Sequence, residues 1–277
     1  MPNSQFSYLK KSAAYVVKRH LLRKSYLIGS SDEYSLRLKF KTQDGGGREI
    51  YKKGIYEPEI TELLLRNLKL SAGDVVLDVG ANIGWYSLLM SRFENEGIDI
   101  HSFEPDPDNY KCLTYNLELN NALNVKAHNM GVSDISGIKT LYLYKKSNTG
   151  RHSMLEINSG DSINVKAMSF DDFLIDQNVA PSSVKFLKID IEGFEYFAFK
   201  GGPKLLTEVP YIIAEFSPGY MRKGGVEPSK LLELLRSFDY QPYNITGGVS
   251  SIDNETLLRR EHNIDLLWVK GGSPVWK

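Results

Sequence analysis

Apolar residues change rhythm along this chain, from short runs and strict alternation to a spacing of three and four. From residue 75 the change is regular. VVLDVG (75–80) reads as a short buried strand and WYSLLMSRF (85–93) as a helix, followed by a strand at IDIHSFEP (98–105). Tyr110, Leu113 and Leu117 share one helical face over 107–119, and NVKAHNM (124–130) is a third strand. KTLYLYKK (139–146) and NVKAMSF (164–170) predict an antiparallel pair around a Gly/Ser/Asn-rich loop at 147–162. VKFLKIDIEG (184–193) and YIIAEF (211–216) are a fourth and a fifth core strand. EPSKLLELLRSF (227–238) is a helix, and QPYNIT (241–246) and IDLLWVK (264–270) close the pattern as strands. Such alternation predicts an open α/β sheet with helices on both faces.

Residues 1–70 read differently and are expected to form an N-terminal extension, with 71–277 as the main domain after the junction SAGD. SLRLKFKT (35–42) alternates like a strand, and DGGGRE (44–49) reads as a turn. Earlier still, Phe6, Leu9, Ala13, Val16 and Val17 recur at helical spacing among Lys10, Lys11, Lys18, Arg19, Arg23 and Lys24. The favoured expectation for this basic amphipathic helix is packing on its own domain with the basic face solvated; the alternative is weak contact with an anionic membrane surface.

Composition narrows the function. The 277 residues carry 34 Lys+Arg and 34 Asp+Glu, a net charge of zero that argues against general nucleic-acid binding. Cys112 is the single cysteine, so no intramolecular disulfide framework or cysteine metal knuckle exists. With no apolar run long enough to span a bilayer, a cytoplasmic location is expected, peripheral at a membrane if the basic helix docks there.

The turn after the first core strand is Asp78-Val79-Gly80-Ala81-Asn82-Ile83-Gly84, spaced G-x-x-x-G and not as the dinucleotide fingerprint G-x-G-x-x-G. Glycine lets backbone approach a ligand closely, and the following helix offers free amides. Asp78 disfavours a phosphate and favours a ligand with ammonium or sulfonium charge; S-adenosylmethionine has both. Glu104, ending the second strand, is placed to accept both hydroxyls of a ribose.

These segments together resemble the FkbM-type family of S-adenosylmethionine-dependent methyltransferases. The resemblance runs from Gly54 to Val269 and rests on GIYEPEITELL (54–64), VVLDVGANIGWYS (75–87), FEPDPDNYKCLTYNLELNN (103–121), MGVSD (130–134), SFDDFL (169–174), LKIDIEGFEYFAFKGG (187–202), IIAEFSP (212–218) and DLLWV (265–269). It implies a Rossmann-like class I methyltransferase fold with a seven-stranded, mostly parallel sheet, here with a small β insertion. It also implies O-methylation of a hydroxyl on a sugar, glycan or secondary-metabolite acceptor. By position, Asp78, Gly80, Asn82 and Gly84 would surround the methionine part, Glu104 the ribose, and Gly131, Val132 and Ser133 the adenine. Tyr56 and Glu57 would close over the cofactor, although an acid before Pro58 also suits a helix start.

Methyl transfer to a hydroxyl gains from a base within hydrogen-bond reach. Asp190, at the end of the fourth strand, is the leading candidate for base, cofactor contact or divalent-metal ligand, with Glu215 from the fifth strand as partner. Whether Mg²⁺ takes part is left open, and so is oligomeric state. Glu192 and Glu195 follow Asp190, and helix-start acids often bond backbone amides. His152, in the polar loop NTGRHSM (148–154), is a second candidate base, and Arg151 could hold an anionic substrate. The alternatives are N-methylation of a peptide or amine, a nicotinamide oxidoreductase, which Asp78 and the glycine spacing oppose, and a noncatalytic nucleoside-binding module.

Overall fold

The computed structural model describes residues 2–93, 97–144, 151–156, 160–272 and 276. The chain opens with α1 (Pro2–Val16), a π-helical turn at Val17–Leu21, the hairpin β1 (Tyr26–Ser31) and β2 (Leu36–Lys41), then α2 (Gly45–Lys53) and α3 (Pro58–Asn67). The core begins with β3 (Val75–Val79), α4 (Trp85–Ser91), β4 (Asp99–Phe103), α5 (Pro107–Leu119) and β5 (Val125–His128). β6 (Gly131–Val132), β7 (Gly137–Tyr142) and β8 (Ser162–Met168) form a separate three-stranded sheet, in which β7 and β8 are the expected antiparallel pair. The chain returns through α6 (Phe170–Asp176), β9 (Val184–Ile189), α7 (Glu195–Lys200), α8 (Pro203–Glu208), β10 (Tyr211–Phe216) and α9 (Pro218–Lys223). It closes with α10 (Pro228–Ser237), β11 (Tyr240–Asn244), β12 (Ser250–Ser251), α11 (Asn254–Leu258) and β13 (Ile264–Lys270).

The main sheet runs β12-β11-β13-β10-β9-β3-β4-β5. β5, β4, β3, β9 and β10 are parallel, and β13 lies antiparallel between β10 and β11. This is the Rossmann-like methyltransferase fold, with the two-residue β12 as an eighth strand beyond the seven expected. From β3 the chain moves outward to β4 and β5, then crosses back to place β9 on β3's other side. That reversal opens a crevice at the carboxyl ends of β3 and β9.

Alternation along each strand divides the core between the two sheet faces. Val76, Phe186, Ile213 and Leu267 pack with α3 and α4 on one face; Leu77, Leu187, Ile212 and Leu266 pack with α6, α8 and α10 on the other. The first face becomes charged at its carboxyl end. Asp78 is paired in register with Lys188, and Glu215 with Asp265.

The extension is docked on this core. Asn116 of α5 and Asn120, its C-terminal cap, use their side-chain amides to satisfy both backbone groups of Lys39 and of Arg37, covering the β2 edge. DGGGRE is not a turn: Asp44 caps α2 by accepting from the Gly47 amide at 2.5 Å, and Gly45 to Glu49 are helical. A side-chain cap outweighs the poor helix propensity of three glycines. The first helix also departs from expectation, since Leu9, Val16 and Val17 face solvent while Tyr15 is buried. Among the described residues no helix is long and apolar enough to cross a membrane.

Candidate active site

The turn leaving β3 is shaped by close approach to β9. Gly80 has φ +80°, and a Cβ there would lie 1.9 Å from the Asp190 carbonyl oxygen. Only glycine permits both. The Gly80 and Ala81 amides donate to the Phe103 carbonyl at 3.0 and 2.9 Å, tying the turn to β4. Gly84 (φ +91°) caps α4, where a Cβ would meet Leu113 at 2.6 Å, so its task is helix packing. Asp78 is 2% exposed and accepts from Ser87 Oγ at 2.5 Å. Burial pushes its pKa up to about 6, against the pull of Ser87 and Lys188.

Two pockets open on this turn. The first, about 320 Å³, is lined by Tyr56, Glu57, Asp78, Lys188, Asp190, Glu192 and Glu215, with Asp44 and Arg48 from the extension and Arg151 from the insertion. The second is narrower and mostly apolar, lined by Glu104, Gly131, Val132, Met154 and Ile191. They share Val79, Gly80, Asn82 and Asp190, so they form one elongated cleft across the strand ends. Asn82, at φ +50°, lends its amide to Glu104 at 2.9 Å while its side-chain Oδ1 is buried without a partner. Glu104 also accepts from the Asp106 amide at 2.9 Å, and burial pushes its pKa up to about 8.

Most expected cofactor residues meet here. Tyr56 and Tyr86 stack edge-on at 6.4 Å, and Glu57 accepts from the Tyr86 hydroxyl without capping α3 through its side chain. Burial first, then neighbouring acids, lift Glu57 to about 7. Ser133 is turned away: its amide donates to the Met168 carbonyl, its hydroxyl contacts Asp134, and it lines neither pocket.

His152 lies on the wall of the second pocket and not among the carboxylates of the first. Its Nδ1 accepts from the Tyr144 amide at 2.9 Å, its Nε2 is 4.0 Å from Asp106, and burial lowers its pKa. A ring engaged in that way positions its loop and is a poor base for the other pocket. Ser153 likewise fixes the insertion, donating to the Glu192 carbonyl at 2.9 Å and accepting from the Leu155 amide. Asn148, Thr149 and Gly150 lie outside the described residues.

The acids after β9 separate by environment. Glu195 bonds the Ile191 and Gly193 amides and so holds the loop. Asp190, Glu192 and Glu215 converge, each offering an oxygen within 4.8 Å of the others. Glu215 accepts from Ser217 Oγ and from Asn263 Nδ2, and burial, then Asp190, raises its pKa well above the usual carboxylate range. Glu192, at φ +54°, is pushed up to about 8 by burial and by Asp190; Arg151 lies 3.9 Å away. The carboxylates form a hard oxygen donor set of the kind that holds a divalent cation.

Lys188 was absent from the sequence-based set. It is 1% exposed, lies 3.7 Å from both Asp190 Oδ2 and Asp265 Oδ1, and stands 5.3 Å over the Tyr86 ring. Burial would discharge it, but Asp190, Asp265, Glu57 and Asp78 together outweigh that and raise its pKa. Its signal was a lysine at the inward phase of a buried strand, two residues before Asp190.

The model of the FkbM methyltransferase domain matches residues 78–242, well over half of the chain, from the end of β3 into β11. The chain belongs to the FkbM methyltransferase family. Among curated FkbM-like relatives, the hexuronic acid methyltransferase AglP of Haloferax volcanii is 28% identical over 179 residues, 65% of this chain and 67% of that protein. The 31-O-demethyl-FK506 methyltransferase FkbM of Streptomyces tacrolimicus is 33% identical over 97 residues, 35% of this chain and 34% of its own length. A solved FkbM methyltransferase from Methylobacillus flagellatus KT aligns at 20% identity and a TM-score of 0.45, covering 73% of this chain and 44% of that one.

Proposed function

We propose that the protein is an S-adenosylmethionine-dependent O-methyltransferase acting on a hydroxyl of a sugar, glycan or secondary metabolite, with Asp190 as general base. One observation carries this reading: the Gly80 turn and Asp190 meet across the switch point, so a cofactor cradle and a carboxylate share one cleft. The residues fit the cofactor. Asn82 has an unsatisfied buried acceptor for an ammonium group, Asp78 adds negative charge beside it, and Glu104 waits at the mouth of an apolar slot suited to adenine. When bound, S-adenosylmethionine supplies an electrophilic methyl group on a sulfonium.

The chain's own part is positioning and proton transfer. Glu104 would accept the ribose hydroxyls, Gly131 and Val132 would flank the adenine, and Tyr56 and Glu57 would close the first pocket. Asp190 takes the acceptor's proton as that oxygen becomes an ether. The Lys188 ammonium lies 3.7 Å from Asp190, a positive charge among the acids of this pocket. Arg48 and Arg151 stand in the wall of the same pocket, where they would meet an acidic group on the acceptor; the hexuronic acid of the AglP name is such a substrate.

A divalent cation on Asp190, Glu192 and Glu215 is a second reading, favoured by the convergence of three carboxylates. There it would lower the pKa of an acceptor hydroxyl. Methyl-labelled S-adenosylmethionine, tested with uronic-acid glycosides, neutral glycosides, polyketide alcohols and amines, with Mg²⁺ or with EDTA, separates these readings. An alkali-stable labelled ether is expected. Label on amines alone would select N-methylation, and cofactor binding without transfer to any acceptor would select the noncatalytic module. Loss of transfer in EDTA with recovery in Mg²⁺ would establish the cation.

A further inference from the structure

The first helix is packed with its aliphatic side outward. Tyr15, 3% exposed, seats it on the extension, and its hydroxyl donates to the Thr42 carbonyl. Lys18 Nζ reaches the Tyr51 hydroxyl at 3.1 Å, Lys52 stands 5.3 Å over the Tyr15 ring, and Arg19 donates to the Tyr15 hydroxyl at 3.3 Å. The inner face is therefore built from tyrosine and basic side chains. On the outside are Leu9 (59% exposed), Val16 (53%), Val17 (46%), Leu21 (79%) and Leu22 (57%). A helix shaped for water alone would turn these inward, since aliphatic surface left in water forgoes the free energy of burial.

Charge says what covers this face. The first 31 residues include Lys10, Lys11, Lys18, Arg19, Arg23 and Lys24 and no Asp or Glu. A second copy of the chain, seated face to face, would bring two such cationic segments together and repel. We propose that α1 and the turn after it dock on an anionic lipid surface, with Leu9, Val16, Val17, Leu21 and Leu22 entering the acyl boundary and Arg23 and Lys24 meeting the headgroups. The site of chemistry is carried separately, in the cleft at the sheet's carboxyl ends. Docking thus holds the enzyme at a membrane without using any residue of that cleft.

The test is flotation of the full chain with vesicles of phosphatidylcholine alone and of phosphatidylcholine mixed with phosphatidylglycerol. Flotation is expected with the anionic vesicles only, weakening as salt rises. Arg23→Gln and Lys24→Gln should each lower the bound-to-free ratio roughly fivefold. The combined variant Leu9→Ser, Val16→Ser, Leu21→Ser should abolish flotation while melting at an unchanged temperature, because these side chains support nothing inside. No flotation of the wild type with anionic vesicles, or unchanged flotation of the serine variant, would overturn the proposal. So would a concentration-dependent dimer that the serine variant dissolves, which would make a second copy the occupant.

Discussion

Asp190 and Glu104 both sit where a parallel strand ends, yet their surroundings suit them to different work. Asp190 has the Lys188 ammonium at 3.7 Å, whereas Glu104 has two backbone amides and an apolar wall. Asp190→Asn is expected to lower methyl transfer by about 10²–10⁴-fold while leaving S-adenosylhomocysteine binding within a few fold, checked by rate assay and calorimetry on the same protein. For Glu104 the expected change is in the cofactor: with a pKa near 8 it holds a proton at neutral pH, and ribose hydroxyls need the ionised form as acceptor. Binding should therefore release a proton below about pH 8 and tighten as pH rises toward it, which calorimetry in buffers of different ionisation enthalpy reads directly. Lys188→Met leaves the half-buried Asp190 and Asp265 without their cation and should destabilise the fold by about 1–3 kcal/mol in denaturant melts. The strand-end acids were legible because they interrupt apolar runs. Lys188 was legible only in phase, and its partner Asp265 belongs to a strand 77 residues later, so no local spacing could link them.

At the scale of elements, the β3 turn and the loop after β9 behave as one unit. Gly80→Ala places a methyl group on the Asp190 carbonyl and forces φ +80° on an L residue, so loss of soluble fold or of cofactor binding is expected from a single carbon. The acids around the cleft also set a pH trend. Asp78 at about 6, Glu57 and Glu195 at about 7, and Glu192 and Glu104 at about 8 all lie above their unfolded values near 4 to 4.5. Between those limits the folded state binds more protons than the unfolded one, so stability falls as pH rises. The ligand-free protein should melt at a lower temperature at pH 8 than at pH 5, and a flat profile would contradict the burial. The core strands and the helices α4, α5 and α10 were readable from period, whereas α6, α7, α8, α9 and α11, of five to seven residues each, are too short to show one. α2 was not readable either, because a triple glycine is a turn signal until the Asp44 cap and the packing of Phe40 against Gly47 are known.

Over the whole molecule, the extension is part of the site and not an appendage. Asp44 and Arg48 line the first pocket, and Asn116 and Asn120 help hold the hairpin before them beside the sheet, a contact between residues some 80 positions apart. Such pairings leave no periodic trace, which is why the open α/β sheet and the glycine turn after its first strand could be anticipated while the Asp44 and Arg48 side of the pocket could not. Every role proposed for these residues requires that the cleft from Glu104 to Asp190 take the cofactor. The most direct measurement is calorimetric titration of the wild-type chain and of Glu104→Gln with S-adenosylhomocysteine, with NAD as control. Saturable binding by the wild type, weakened about tenfold or more in Glu104→Gln and absent with NAD, is the predicted result. A folded wild-type protein that gives no heat with S-adenosylhomocysteine, or that binds NAD instead, would contradict it.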